Sequence, residues 1–267
     1  MSLTPEQINY FETFGFVLLK QLFSADEVAE IRQAADEMWE VELGRKPTDG
    51  DALGISNFIE RHPRLTELLV LDDRIYEPMR QLLGDDMIWS GSEGNRGFEQ
   101  GNTSHHWHAD RPGVRELGYL RIKVMLYLDP MRKEQGAFRV IPGSHKPPLH
   151  ELLDPFQQAH VESGPTFFGL AGSDVPCYAV ETDPGDVVLF TQNLFHGVYG
   201  KTGARRYIAL KFAARPTEDE HLASLQRWSS YAFQPHEALA NSDNPRLQQM
   251  VRGLRELGER AAGLPYP

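Results

Sequence analysis

Between residues 86 and 215 the chain passes through six short β-rich runs: "MIWSGSEG", "YLRIKVMLYL", "GAFRVI", "CYAVET", "DVVLF" and "RRYIALKFAA". Gly, Pro and Asp divide them, and no helical apolar period intervenes. Successive short strands of this kind predict a sandwich, a barrel or a jelly roll.

Helical patterning flanks this stretch. Thr4 before Pro5, with Gln7 three residues on, forms the signature of an N-cap, a proline at the first helical position and a capping box. Gly15 is the expected stop, and "FVLLK" (16–20) reads as a short strand. Ser24 and Glu27 then open a second helix whose apolar positions Val28, Ile31, Ala34, Ala35 and Met38 follow helical spacing. More helix is expected around 64–82. After Pro216 the pattern turns helical again, and "NPRLQQMVRGLRELGERAAG" reads as a terminal helix. With no repeat or linker, the expectation is one domain, 1–267: a helical part to 85, a β core over 86–215 and C-terminal helices from 216.

The 267 residues, 40% of them hydrophobic, suffice for a substantial core. A net charge of −11 argues against nucleic-acid or anionic-membrane partners. The single cysteine, Cys177, allows no internal disulfide and no cysteine zinc site. The opening "MSLTPEQINYF" lacks the basic and apolar regions of a signal peptide, and the longest apolar runs are strand-length. A cytoplasmic protein with a small-molecule partner is therefore expected; oligomeric state is not readable.

The chemistry-bearing residues fall in two clusters. "SHHWHAD" (104–110) places His106, His108 and Asp110 at alternate positions, so a strand would send all three to one face and His105 to the other. Far downstream, "PGDVVLFTQNLFHGVYG" (184–200) carries His196 just beyond an apolar strand. A lone histidine among apolar residues is ordinarily a structural core residue. Joined to an HxD pair on another strand, it completes the 2-His-1-carboxylate facial triad that binds non-haem Fe(II) and leaves one face of the metal open. The competing assignment is a cupin-type HxH pair, His106 and His108, with His196. Against it, Glu116 lies too far from the pair for cupin spacing, and "VIPGSH" has no place in that motif. Next comes "GKTGARRYIALKF", where Arg205 or Arg206 could grip a carboxylate bidentately.

The stretches "HHWHAD", "LRIKVMLYLDPMRKEQGAFRVIPGSH", "PGDVVLF", "LFHG" and "RRYIALKF" resemble the phytanoyl-CoA dioxygenase family of Fe(II)/2-oxoglutarate oxygenases. The likeness runs from "YFETFGFVLLKQLFSADEV" to about Phe212, and "GAFRVIPGSH" is its most specific segment. It implies a double-stranded β-helix, a cupin-like jelly roll, with flanking helices. The implied iron ligands are His108, Asp110 and His196. The implied partner of the 2-oxoglutarate C5 carboxylate is Arg205; a register slip by one residue would give the role to Arg206.

On the strand "LRIKVMLYL", Lys123, Met125 and Tyr127 share one face. Met125 stands where the family often has an aromatic residue against 2-oxoglutarate, and Lys123 is expected beside the same co-substrate. The implied activity consumes O2 and 2-oxoglutarate, releases succinate and CO2, and hydroxylates or similarly oxidises a C–H bond. Halogenase relatives replace the carboxylate ligand with a small residue, so Asp110 argues against halogenation. The remaining alternative is a non-catalytic relative that keeps the barrel for binding. Candidate substrate contacts are His106, Tyr127, Arg111 and Asn95. Asn57, Arg61, Glu93, Arg96, Trp228 and Tyr231 are also placed near the barrel mouth.

Overall fold

The computed structural model describes residues 1–163, 166–167 and 169–266. Its strands, in chain order, are β1 (Phe16–Leu19), β2 (Leu53–Ser56), β3 (Ile88–Arg96), β4 (Ser104–His108), β5 (Arg121–Tyr127), β6 (Phe138–Val140), β7 (Thr166–Phe167), β8 (Leu170–Ala171), β9 (Tyr178–Val180), β10 (Val187–Thr191), β11 (His196–Tyr199) and β12 (Tyr207–Ala213). They pair antiparallel into a six-stranded sheet, β1-β10-β5-β12-β3-β2, and a four-stranded sheet, β4-β11-β6-β9; β7 and β8 form a separate two-stranded ribbon. The two main sheets face each other as a jelly roll.

Alternation along the strands sorts the large sheet's side chains onto two apolar faces, which is why its strands read as nearly continuous hydrophobic runs. Ile122, Val124 and Leu126 of β5, with Ile208, Leu210 and Phe212 of β12, face outward into the main core. The N-terminal part covers them with Ile31 and Trp39 of helix Ala25–Leu43 and with Phe23 and Phe58 from the turns beside it, all fully buried. Burying a side chain of this size contributes about 1.5–3 kcal/mol, so the helical N-terminal part is the other half of the core. The inner face carries Met125, Val188, Phe190 and Ala209 toward Phe138, Val140 and Val180 of the small sheet.

The expected helix signals are realised. Helix Pro5–Phe14 has Thr4 as its cap with a complete capping box, and ends at Gly15 with φ +83°. Helix Ala25–Leu43 is capped in the same way by Ser24 and Glu27. The 64–82 region is helical over Pro63–Leu65, a wider turn Thr66–Val70, and Asp73–Leu83. The C-terminal helix, by contrast, is two: Pro245–Val251 and Leu254–Ala261. Arg252 is extended and Gly253 takes φ +70°, a left-handed turn that breaks the ladder. Helix Leu149–Ser163 lies in a stretch with no helical expectation, because Pro147, Pro148 and Pro155 mask its period. Among the described residues no helix is long and apolar enough to cross a membrane.

Candidate active site

The site forms where the two sheets close on each other. His196 opens β11 and pairs directly with His108 at the end of β4, while Val140 of β6 flanks it on the other side. Asp110 follows β4 in a bend braced from three directions. Arg111 N–H donates to Gln192 O at 3.1 Å, Asn193 Nδ2 donates to Arg111 O at 3.0 Å, and Arg111 Nη1 donates to Asp110 O at 2.7 Å. The loop between β10 and β11 thus fixes the HxD bend as well as the distal histidine.

Both imidazoles are held through Nδ1, His108 to the carbonyl of His106 at 2.6 Å and His196 to that of Leu194 at 2.8 Å. A carbonyl can only accept, so each Nδ1 carries a proton, and in the neutral ring the lone pair is on Nε2. Those two nitrogens lie 3.7 and 3.9 Å from Asp110 Oδ1. One ligand atom from each of the three residues falls within 4.8 Å of the other two.

Two imidazole nitrogens and a carboxylate oxygen turned on one point form a donor set that suits a divalent metal of the iron class. Burial pushes the Asp110 carboxyl up, but the Lys123 ammonium and the neighbouring histidines hold it well below the usual carboxylate range. Burial and His108 hold the His196 imidazole well below its ordinary value, and so in the neutral form a metal requires.

A cavity of about 350 Å³ opens from this point along the inner face of the large sheet. Lys123, Met125 and Tyr127 line it, as their alternation on β5 predicts. Lys123 Nζ lies 2.7 Å from Asp110 Oδ2, so its first partner is the metal-site carboxylate. At the far end Arg205 is buried, with its guanidinium 5.6 Å from the Tyr127 ring, 5.2 Å from the Tyr207 ring and Nε donating to Gly136 O at 3.3 Å. It has no ion-pair partner among the described residues. Its φ is +43°, a backbone conformation that side chains rarely adopt. That kink parts the two arginines: Arg206 leaves the cavity and pairs with Asp129 at 2.7 Å and Asp36 at 3.0 Å.

The substrate candidates divide. Asn95, Glu93, Arg96 and Tyr127 line the cavity. Asn95 Nδ2 is buried without a partner, and Gly54 on β2 leaves it room, since a Cβ there would meet Asn95 Oδ1 at 2.9 Å. Arg111 does not line the cavity; its Nη2 donates to Ser229 Oγ at 2.7 Å and ties the HxD bend to the C-terminal helices. Asn57, Arg61, Trp228 and Tyr231 also lie off the lining; Arg61 pairs with Glu42, and Trp228 donates to Tyr266.

His106 requires a correction. Strict alternation puts it on the face of His108, yet the cavity is lined by His105, whose ring stacks on His108 at 4.3 Å between centroids. The pairing shifts here: His196 faces His108, but Val198 faces His105, so β4 carries one residue more than β11. Such a bulge reverses the facing of the residues beyond it. His106 instead lies with its ring 6.1 Å from Tyr199.

The residues that sequence reasoning passed over are the supports. Ser144 Oγ accepts the Phe195 N–H at 2.8 Å and so anchors the residue preceding His196. Gly136 adopts φ +81° against Arg205 and the backbone of Lys201, where a side chain would not fit. Both belong to "GAFRVIPGSH" and its borders, which was the available signal.

The fold is that of the jelly-roll oxygenases. The chain belongs to the phytanoyl-CoA dioxygenase family, whose model matches residues 11–207. An ectoine dioxygenase of Sphingopyxis alaskensis is 26% identical over 221 residues, spanning 74% of this chain and 71% of that protein. HygX of Streptomyces hygroscopicus, solved with nickel and 2-oxoglutarate bound, superposes with a TM-score of 0.64 at 21% identity, over 80% of this chain and 88% of its own. EctD of S. alaskensis with bound iron gives 0.57 at 22% identity, over 79% and 77%.

Proposed function

We propose that this dioxygenase uses Fe(II), 2-oxoglutarate and O2 to hydroxylate, or similarly oxidise, an unactivated C–H bond of a small organic molecule. One observation carries the reading: the convergent donors of His108, Asp110 and His196 open onto a cavity that ends at a buried guanidinium with no anionic partner among the described residues. A dicarboxylate offers an acidic group to each end, one for the metal position and one for Arg205.

Iron with its co-substrates supplies the oxidant, 2-oxoglutarate leaving as succinate and CO2. The rest is the protein's work. The carbonyls of His106 and Leu194 fix both ring tautomers, and Lys123 keeps Asp110 ionised and turned so that Oδ1 faces the imidazoles. Tyr127 and Tyr207 flank Arg205 and exclude water from it, which strengthens its grip on a carboxylate. Met125 and Phe190 form an apolar wall beside the metal position and shield reactive species from solvent. Asp110 fills the position that a halide would need, which supports oxidation without halogenation. The name of the ectoine-acting relative agrees with a small-molecule substrate.

The test is succinate formation by the anaerobically Fe(II)-loaded protein on exposure to air. Iron- and 2-oxoglutarate-dependent succinate, raised by a fraction of a metabolite pool, is the expected result. Bound iron without succinate in any fraction would overturn the reading.

A further inference from the structure

The charges that line the cavity can be followed to their partners. Lys123 is paired with Asp110. Arg96 donates to Thr48 O at 2.8 Å and lies over Trp39. Lys201 donates to the carbonyls of Ser104 at 2.8 Å and Asn102 at 3.3 Å. Arg205 is the co-substrate's in the reading above. Lys123, Arg96 and Lys201 thus each hold a partner among the described residues, the last two through backbone carbonyls.

Of the lining carboxylates Asp110 is taken by Lys123, whereas Glu93 and Glu99 are less fully engaged. Glu93 projects from β3 beside Ala209, which itself faces Met125, so the row Met125–Ala209–Glu93 crosses the cavity floor. With strands about 4.8 Å apart, Glu93 stands roughly 10 Å from Met125, and the methyl of Ala209 leaves the space between them open. One oxygen of Glu93, Oε1, takes Lys211 Nζ; the other accepts nothing from the described residues, and the side chain keeps 36% of its exposure. Burial pushes this carboxyl up, but Lys211 and Lys123 more than offset it, so Glu93 stays ionised. Glu99, exposed at the rim, also lacks an ion-pair partner among the described residues. Asn95 Nδ2, on the same face two residues from Glu93, adds an unsatisfied donor.

We infer that the substrate carries a protonated amine and that Glu93 Oε2 holds it, with Asn95 receiving an acceptor group of the same molecule; this rests on the oxygenase reading. An ammonium on Glu93 gains a charge-assisted hydrogen bond at a partly desolvated carboxylate. An anionic molecule in the same place would face the carboxylates of Glu93 and Glu99.

The experiment follows succinate formation with a panel of amino acids, amino alcohols, diamines and amino sugars, each beside its N-acetyl derivative and a carboxylate of similar size. At least one amine should stimulate turnover where its acetylated form does not. Glu93→Gln should raise the KM for that amine about tenfold or more, the loss of a hydrogen bond to a charged group, with kcat changed far less and Glu93→Asp intermediate. Stimulation by acetylated and free amines alike, by carboxylates only, or by no amine would overturn the inference. Absence of iron-dependent succinate from the wild-type protein under any condition would instead overturn the oxygenase reading beneath it.

Discussion

Lys123 Nζ lies 2.7 Å from Asp110 Oδ2, on the side of the carboxylate away from the two histidines. One oxygen of Asp110 is thereby taken by a fixed ammonium and the other is left for the metal position. Groups that orient a metal ligand in this way typically account for about 10–100-fold in metal affinity. Lys123→Ala should weaken Fe(II) or Co(II) binding by that range, read by metal titration of the folded variant. Unchanged affinity would mean that the bend alone orients Asp110.

The two adjacent arginines make opposite predictions for the co-substrate. Arg205→Ala should raise the 2-oxoglutarate requirement by about 10–150-fold, the worth of charge-assisted hydrogen bonds, while metal stays bound. Arg206→Ala should leave it nearly unchanged, because Arg206 faces Asp129 and Asp36 outside the cavity. KM measurements for 2-oxoglutarate on both variants decide it, and the reverse pattern would show that the register around β12 is one residue out.

Arg206 has a measurable role of its own, in stability. Burial raises the Asp129 carboxyl, but hydrogen bonds from Arg206 outweigh it and hold its pKa below the ordinary value. A carboxyl depressed in the folded state stabilises the protein above its unfolded pKa, about 3.9, and the gain is lost as the pH falls through the folded value. Arg206→Ala should therefore cost about 1–2 kcal/mol at pH 7, and the difference from wild type should shrink below about pH 4. Urea unfolding at several pH values provides the comparison. A penalty independent of pH would assign it to lost packing.

Legibility from sequence followed the range of each physical signal. Short β-rich runs bounded by Gly, Pro and Asp located β3, β5, β10 and β12, and the capping boxes at Thr4 and Ser24 were local enough to read directly. The HxD pair and His196 were picked out by residue type and spacing, and the fold brings them together. What failed depended on pairing. The exchange of His105 for His106 comes from a bulge set by β11, which nothing within "SHHWHAD" encodes. Strand β2, with Gly54 making room for Asn95, lacks a β-branched run and is defined only by its partner β3. The split at Gly253 was visible as a glycine, but the surrounding helical period overrode it.

Gly94 tests how tightly the N-terminal helical part is joined to the sheet. It lies on the outer face of β3, and a Cβ there would stand 2.3 Å from the ring of Phe58, which is fully buried against Trp39. The ring cannot withdraw without displacing the main core. Gly94→Ala should cost about 1–3 kcal/mol from overpacking, seen as a lower denaturation midpoint with an unchanged slope. A neutral result would mean that this part of the core repacks freely.

His106 and Asp110 separate the facial triad from the HxH alternative. His106 lies beside Tyr199 outside the cavity lining, and its carbonyl rather than its ring serves the site, accepting from His108 Nδ1 at 2.6 Å. Because that contact is made by the backbone, His106→Ala preserves it. Metal affinity should stay within about threefold of wild type, less than the loss of one oriented support. His108→Ala, Asp110→Ala and His196→Ala each remove a donor and should abolish binding of Fe(II) or Co(II), together with succinate formation. The Co(II) absorption spectrum adds a readout independent of turnover, since its ligand-field bands report the donor set. If His106→Ala lost the metal while Asp110→Ala kept it, the pair on β4 would be His106 and His108, and the bulge that presents His105 to the cavity would have to be absent in solution.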